Sequence, residues 1–383
     1  MNEYKIPVQL KQFINPDTIV VRSPGRINLI GEHTDYNNGF VLPAAIDKAV
    51  YVTMEKNEGD RISLHSVDFN ESVETSVAEV KPAFGHWSTY ILGVAAQLLN
   101  KGLAVKGFKL SVYGDVPLGA GLSSSAAIEC ATAFALNELF AFGLSRKELA
   151  LISQKAEHEY AGVKCGIMDQ FASLFGKKNN VIRLDCRSLA FEYFPLELKD
   201  YVVVLFDTQV KHSLASSEYN VRRGQCEAGV SSIQKKYPGV KSLRDATLEM
   251  VNECISKDDT SYSRCKYVVE EISRLQTACE DLVRGDVKAF GREMFATHDG
   301  LSKEYGVSCK ELDYLVDGVR NNPAVIGARM MGGGFGGCTI NIIRKDAVEG
   351  IVNSLTVSYA KEMGKELKHY LVNVEDGTSV INR

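Results

Sequence analysis

The sequence has no apolar run approaching membrane-spanning length, and its first residues, Met1-Asn2-Glu3-Tyr4-Lys5, lack the charged-then-apolar order of a secretory signal. It also lacks a concentrated basic stretch. Its 44 Lys and Arg against 48 Asp and Glu give a formal charge of -4, and pairs such as Arg222-Arg223 read as solvated helix faces. Nucleic acid and anionic membrane are disfavoured as partners, because each demands a clustered positive surface. The nine cysteines include no C-x-x-C pair and share no zinc-finger spacing with histidine. Reduced thiols in the cytoplasm account for them best. No Gly-x-x-x-x-Gly-Lys-Ser/Thr occurs, which excludes a Walker loop. Low-complexity linkers and internal repeats are missing too. The two domains expected of 383 residues, 45% of them hydrophobic, would therefore share a close interface, a common place for a ligand cleft.

Against these absences stand three glycine-punctuated segments: PGRINLIGEHTDY from Pro24 to Tyr36, GAGLSSSAA from Gly119 to Ala127, and GGGFGG from Gly332 to Gly337. In the middle one, Phe108, Leu110 and Val112 alternate as a strand does, Pro117 to Gly121 cannot continue it, and Ser123 to Ser125 lead into helix-forming residues. The serines thus sit at a helix N-terminus, where free N–H groups and the helix dipole face an anion. A serine N-cap explains a lone Ser-Ser-Ser as well. Two glycines, a proline and three consecutive hydroxyls tilt the balance toward phosphate.

The last segment contains a formal Gly-x-Gly-x-x-Gly, but it runs into the strand-like Cys338 to Ile343 and does not open a helix, so a dinucleotide fingerprint is rejected. Five glycines in six residues exceed what a hairpin needs, and close approach to a ligand or to the other domain is expected. The first segment sets Arg26, Glu32, His33 and Asp35 around a turn flanked by Ile27, Leu29, Ile30, Phe40, Val41 and Leu42. Carboxylates so close to a core need cationic or hydroxyl partners, and a polyol supplies the latter. A fourth stretch, Glu157-His158-Glu159-Tyr160 and then Cys165 to Gln170, places Asp169 between Ile167-Met168 and Phe171. That is either a carboxylate in an apolar setting or an N-cap for a helix through Leu174. His158 is assigned no chemistry.

Periodicity predicts strands near 18–22, 40–55, 60–67 and 106–115, and helices over about 122–140 and 146–161, the second opened by a Ser145/Glu148 capping box and closed near Gly162. Alternating runs at 181–186 and 190–195 precede an apolar strand at 201–206 and helices to about 320. The tail reads helix, strand, Gly-rich turn, strand, helix, strand, a split β-α-β layout.

In this order the segments resemble the three motifs of the GHMP small-molecule kinase family, and Pro24 to Tyr36 is similar to the narrower galactokinase signature. Cys165-Gly166-Ile167-Met168-Asp169-Gln170, Asp185-Cys186-Arg187-Ser188-Leu189 and Ser217-Glu218-Tyr219-Asn220-Val221-Arg222-Arg223 also look like galactokinase sequence, so the similarity covers nearly the whole chain. The resemblance implies an α+β fold of two domains with the active site between them: a ribosomal-protein-S5-domain-2-like unit over residues 1–200 and a ferredoxin-like unit over 201–383. It implies phosphoryl transfer from MgATP to the C1 hydroxyl of galactose, with galactose and ATP as small-molecule partners and no obligate protein partner. Glu32, His33, Thr34 and Asp35 match sugar-hydroxyl ligands, and Gly166 and Tyr219 match further galactose contacts. Gly119, Ala120, Gly121, Leu122, Ser123, Ser124 and Ser125 match the ATP phosphate loop, and Ser66 a nucleotide-contacting serine. Ser125 and Glu157 match the Mg²⁺ ligands, Asp169 the catalytic base, and Arg26 the cation that stabilises the transferring group. Trp87 aligns too loosely with an adenine contact to be given a role. Sister kinases of N-acetylgalactosamine or arabinose are the alternative, against which Thr34 favours galactose. A non-catalytic galactose and ATP sensor is disfavoured, because Ser123 to Ala127 is complete.

Overall fold

The computed structural model describes residues 4–82, 85–210 and 215–382. Strands β1 (Ile19–Asn28), β2 (Phe40–Val41), β3 (Pro43–Lys56), β4 (Arg61–Ser66) and β5 (Glu71–Ser76) come first. Helix α1 (Ser88–Asn100), strand β6 (Phe108–Gly114), helices α2 (Ser124–Phe140), α3 (Arg146–Ala156) and α4 (Met168–Phe175), and strands β7 (Asn180–Asp185) and β8 (Phe191–Pro195) follow. The rest comprises β9 (Tyr201–Asp207), α5 (Ala215–Gln234), α6 (Leu248–Cys254), α7 (Thr260–Arg284), α8 (Val287–Asp299), α9 (Lys310–Arg320), β10 (Val325–Met330), β11 (Cys338–Arg344), α10 (Val348–Met363), β12 (Lys368–Val372) and β13 (Ser379–Val380).

The strands form a six-stranded sheet of order β13-β1-β3-β6-β4-β5, a four-stranded sheet β10-β11-β9-β12 and a three-stranded sheet β2-β7-β8. With α9 and α10 on one face of the four-stranded sheet, the second half has the β-α-β-β-α-β order of a ferredoxin-like unit. The expected α+β class is therefore what the chain forms. One apolar core runs from the first sheet and α1 to α4 into Val203, Leu205, Ile340 and Ile342 of the second, which binds the halves together. The C-terminal strand β13 returns to pair with β1. Among the described residues, no helix is long and apolar enough to cross a membrane.

The Ser145/Glu148 capping box is present, with the Glu148 carboxylate accepting from the Ser145 N–H at 3.0 Å. The helix it opens departs from expectation in a useful way. Regular α-helix stops at Ala156, and Glu157–Ala161 form a wider π-type turn that ends at left-handed Gly162. Such widened turns re-aim side chains and recur at functional sites. The strand expected over 40–55 is broken at Leu42, whose N–H turns to the Ile30 carbonyl, so that β2 joins β7 instead of the first sheet. Helix α1, which the sequence reading did not predict, is buried on nearly every side. Strand β5, Glu-Ser-Val-Glu-Thr-Ser, is a solvated edge with no apolar face.

Candidate active site

Strand β1 carries Arg26 to the foot of the glycine-serine loop, where its N–H donates to the Leu122 carbonyl at 3.1 Å. The buried guanidinium forms a two-pronged pair with Asp169 at the start of α4, Nε to Oδ1 at 2.8 Å and Nη2 to Oδ2 at 2.9 Å. Nη1 donates to the Gly121 carbonyl at 2.5 Å. Burial opposes the charge on Arg26, yet Asp169, Glu32 and Asp35 hold its pKa above the usual value. The helix cap position falls to Ile167, so Asp169 is free of capping and its carboxylate is spent on Arg26 and on the Ser123 hydroxyl.

Asp169 and Arg26 line a cavity of about 210 Å³ together with Glu32, His33, Asp35, Glu157, Cys165, Gly166, Tyr219 and Gly333. At ~30 Å³ per water, that is room for about seven waters, or one small polyol. Burial, with Asp169 and Glu32 nearby, pushes Asp35 up to about 7. A Cβ on Gly166 would lie 1.8 Å from Asp35 Oδ2, so only glycine lets this carboxylate occupy its place. His33 is neutral: burial and the charges of Arg222 and Arg329 push it down to about 3. Its Nδ1 meets the Tyr36 hydroxyl at 2.9 Å, and its ring is 5.5 Å from that of Tyr219 on α5. Thr34 does not join this wall. It is fully buried, with its hydroxyl 2.9 Å from the Gly31 carbonyl and 2.5 Å from that of Phe40, so its side chain ties the turn together.

Beyond the loop lies a second cavity of about 640 Å³, lined by Ser66, Asp68, Phe69, Trp87, Tyr90, Ser124, Ser125 and Ile128. Ser66, Ser124 and Ser125 thus line one cavity, and Trp87 joins them. Ser123 has a left-handed backbone, φ +57°, and no side-chain cap reaches the start of α2. Its hydroxyl bonds Asp169, which argues against the simple N-cap reading. Ala120 and Leu122 turn their side chains into the core, leaving main chain to offer a ligand, and Gly119 borders a separate recess beside Asp207 and Lys368. The expected close approach of the third segment is observed. A Cβ on Gly334 would lie 2.1 Å from the Val307 carbonyl oxygen, and Gly332 and Gly337 pack against the main chain of Gly119 to Gly121.

Ser125, on the wall of the larger cavity, donates its hydroxyl to Oε1 of Glu157, on the wall of the smaller, at 3.0 Å. Glu157 Oε2 accepts from Gln170 Nε2 at 2.6 Å and from the Cys165 thiol at 3.2 Å. Burial and Asp169 raise its pKa, and the groups that bond it, Ser125, Cys165 and Gln170, carry no positive charge. Among the described residues no cluster of three His, Cys, Asp or Glu could hold a metal. One hydroxyl and one carboxylate still fit Mg²⁺, which keeps several waters and takes phosphate oxygens as its other ligands.

Several residues here escaped the sequence reading. Arg329 on β10, fully buried, donates to Glu32 Oε2 at 2.5 Å, and Glu271 on α7 accepts the Gly31 N–H at 2.8 Å. Gln170 joins Glu157 to the buried Glu129, whose pKa is raised by burial and by Glu157. A lone arginine in the apolar strand Val325–Met330 was a usable signal, since a buried guanidinium needs a carboxylate partner.

Comparison with known proteins agrees with this geometry. Residues 10–56 match the family model of the galactokinase galactose-binding signature, 89–177 that of the GHMP kinases N terminal domain, and 278–361 that of the GHMP kinases C terminal domain. A galactokinase of Thermotoga petrophila is 43% identical over 94% of this chain and 99% of its own length, and one of Chloroflexus aurantiacus is 39% identical over 96% and 95%. The crystal structure of Lactococcus lactis galactokinase complexed with galactose superposes with a TM-score of 0.92 at 34% identity, covering 95% of each chain. A mevalonate kinase of Methanococcus jannaschii, 18% identical with a TM-score of 0.64, shares the fold. With 43% identity sustained over 94% of its length, and with all three motifs in place around one cleft, this chain belongs to the galactokinases of the GHMP kinase family.

Proposed function

We propose that the protein transfers the γ-phosphoryl group of MgATP to the anomeric hydroxyl of α-D-galactose, giving galactose 1-phosphate and ADP, in the cytoplasm. The observation that carries this reading is the buried Arg26–Asp169 pair, which faces a small acceptor-rich cavity on one side and contacts the phosphate loop through the Gly121 carbonyl on the other. Glu32 and Asp35 accept hydroxyl protons of the sugar, neutral His33 offers Nε2, and Tyr219 covers it. Ser66, Ser124 and Ser125 face the nucleotide, with the main chain of residues 119–123 and the uncapped start of α2 directed at its phosphates.

Phosphoryl transfer asks the protein for in-line placement and charge neutralisation more than for covalent help. Asp169 accepts two Arg26 bonds and one from Ser123, which fix its carboxylate at the edge of the small cavity. It takes the anomeric proton late, once the attacking oxygen has turned acidic. Arg26, one bond from the loop, stabilises negative charge on the transferring group. Ser125 and Glu157 would hold Mg²⁺, which supplies charge neutralisation on the phosphates. The test is a coupled ADP-release assay over a sugar panel. Turnover with galactose at least a hundredfold above glucose is expected, because inverting one hydroxyl strands desolvated protein groups at about 1–3 kcal/mol each. Equal rates with the two sugars would overturn the reading.

A further inference from the structure

Glu32 presents its two oxygens to different worlds. Oε2 accepts from Arg329 Nη2 at 2.5 Å and from Asn28 Nδ2 at 3.1 Å, while no described residue bonds Oε1, and the side chain borders the 210 Å³ cavity. Arg329 is itself locked. It is 0% exposed, and it donates from Nε to the Leu29 carbonyl at 2.8 Å, from Nη1 to the Met330 carbonyl at 2.8 Å, and from Nη2 to the Asn28 carbonyl as well as to Glu32. All but one of these acceptors belong to the segment that carries the sugar motif, whereas Arg329 stands on β10, immediately before the glycine-rich turn. The same segment is held from α7, where Tyr267 donates to the Glu32 carbonyl at 3.1 Å and Glu271 accepts the Gly31 N–H.

We propose that Arg329 is a positioning residue for sugar specificity, which claims Oε2 of Glu32 and so leaves Oε1 as a single, fixed acceptor for one sugar hydroxyl. The proposal rests on galactose occupying the small cavity. The third motif then acts on both substrates, through its glycines at the phosphate loop and through the arginine before them at the sugar.

The orientation makes Glu32→Gln decisive. Arg329 and Asn28 both donate, so they would draw the amide oxygen toward themselves and turn the NH₂ group into the cavity. An acceptor becomes a donor with almost no change in volume. Galactose KM should rise roughly ten- to a hundredfold, with ATP KM within about twofold, while the melting temperature falls because the buried Arg329 guanidinium loses its carboxylate partner. Arg329→Lys keeps the charge but cannot make the forked contacts, and should likewise raise galactose KM while leaving kcat within a few-fold. Because both act on one acceptor, Glu32→Gln/Arg329→Lys should bind galactose no more than about twofold worse than Glu32→Gln alone. Additive losses, or equal losses for both substrates, would mean that Arg329 serves stability only and would overturn the proposal. If Glu32→Gln leaves galactose KM unchanged while Asp35→Ala raises it, the positioning role fails and the sugar cavity survives. If neither variant changes galactose KM, the cavity assignment fails and the proposal falls with it.

Discussion

Replacing Gly166 by alanine tests the sugar cavity without touching a charged group. The added Cβ would sit 1.8 Å from Asp35 Oδ2, 2.1 Å from its Cγ and 2.7 Å from its Cβ, whereas ordinary contact begins near 3.4 Å. Gly166 has no left-handed backbone, so the substitution acts through space alone. The Asp35 carboxyl must move by about 1.5 Å, and it does so against its own bond from the Tyr36 N–H at 2.9 Å. A displacement that large breaks the carboxylate's bonds to sugar hydroxyls, each worth about 1.5–3 kcal/mol when an ionised group is involved. Galactose KM should therefore rise roughly ten- to a hundredfold or more, at 1.4 kcal/mol per factor of ten. ATP KM should stay within about twofold, since residue 166 borders the small cavity and not the large one. Initial rates with each substrate varied at saturation of the other, together with a thermal melt, give the answer. Galactose KM within twofold of wild type in a folded Gly166→Ala protein would refute the placement of the sugar against Asp35.

Asp169→Asn keeps the side-chain volume and an oxygen for Arg26 but cannot take a proton; turnover should fall by roughly two to four orders of magnitude while calorimetric galactose affinity stays within a few-fold. Near-normal turnover would exclude the base role. Glu157→Gln should raise the Mg²⁺ concentration giving half-maximal rate and leave galactose KM unchanged, and an unaltered Mg²⁺ dependence would remove Glu157 from the metal site. Asp35, held near 7 by burial and Asp169, is largely protonated below that pH in the free protein, whereas accepting sugar hydroxyls calls for the carboxylate. Galactose KM should thus fall as pH rises from 6 to 8, by at most about tenfold per unit, with proton release on binding. ATP KM should not follow, and Asp35→Asn should flatten the profile; a wild-type galactose KM independent of pH would contradict the assignment.

The parts of the site legible in the sequence are those in which backbone conformation dictates residue type. Glycines at 119, 121 and 332 to 337 announce left-handed turns and close approach, and the serines after them announce a helix start. Arg26, Asp35 and Asp169 are polar residues embedded in apolar flanks, a conflict that points to partners. What stayed hidden depends on contacts between segments distant in the chain. Whether Thr34 faced ligand or main chain could not follow from a motif, because its hydroxyl is claimed by the Phe40 carbonyl on the far side of the turn. The hold of Arg329 on Glu32 spans 297 positions, and that of Glu271 on Gly31 spans 240. Helix α1 was missed although it is buried on nearly every side; α2, also largely buried, was announced by the glycine-serine turn that opens it.

The charge balance of the cleft explains why both a metal and a polyol suit it. Five carboxylates, Glu32, Asp35, Glu129, Glu157 and Asp169, gather around three guanidinium groups, Arg26, Arg222 and Arg329, and His33 contributes no charge. Burial and mutual repulsion raise the pKa of Asp35, Glu129 and Glu157, so the free site sheds part of its excess negative charge by holding protons. A polyanionic nucleotide entering that field would call for a divalent cation, which Ser125 and Glu157 would hold and which would supply neutralising charge. An uncharged polyol has the opposite relation to the same wall. Its hydroxyls bring donors to a surface rich in acceptors, adding no charge and satisfying oxygens that burial has stripped of water. The acidic surplus that would repel bare ATP is thus what makes the small cavity selective for a neutral, hydroxyl-rich acceptor, and Arg26 stands where the two requirements meet.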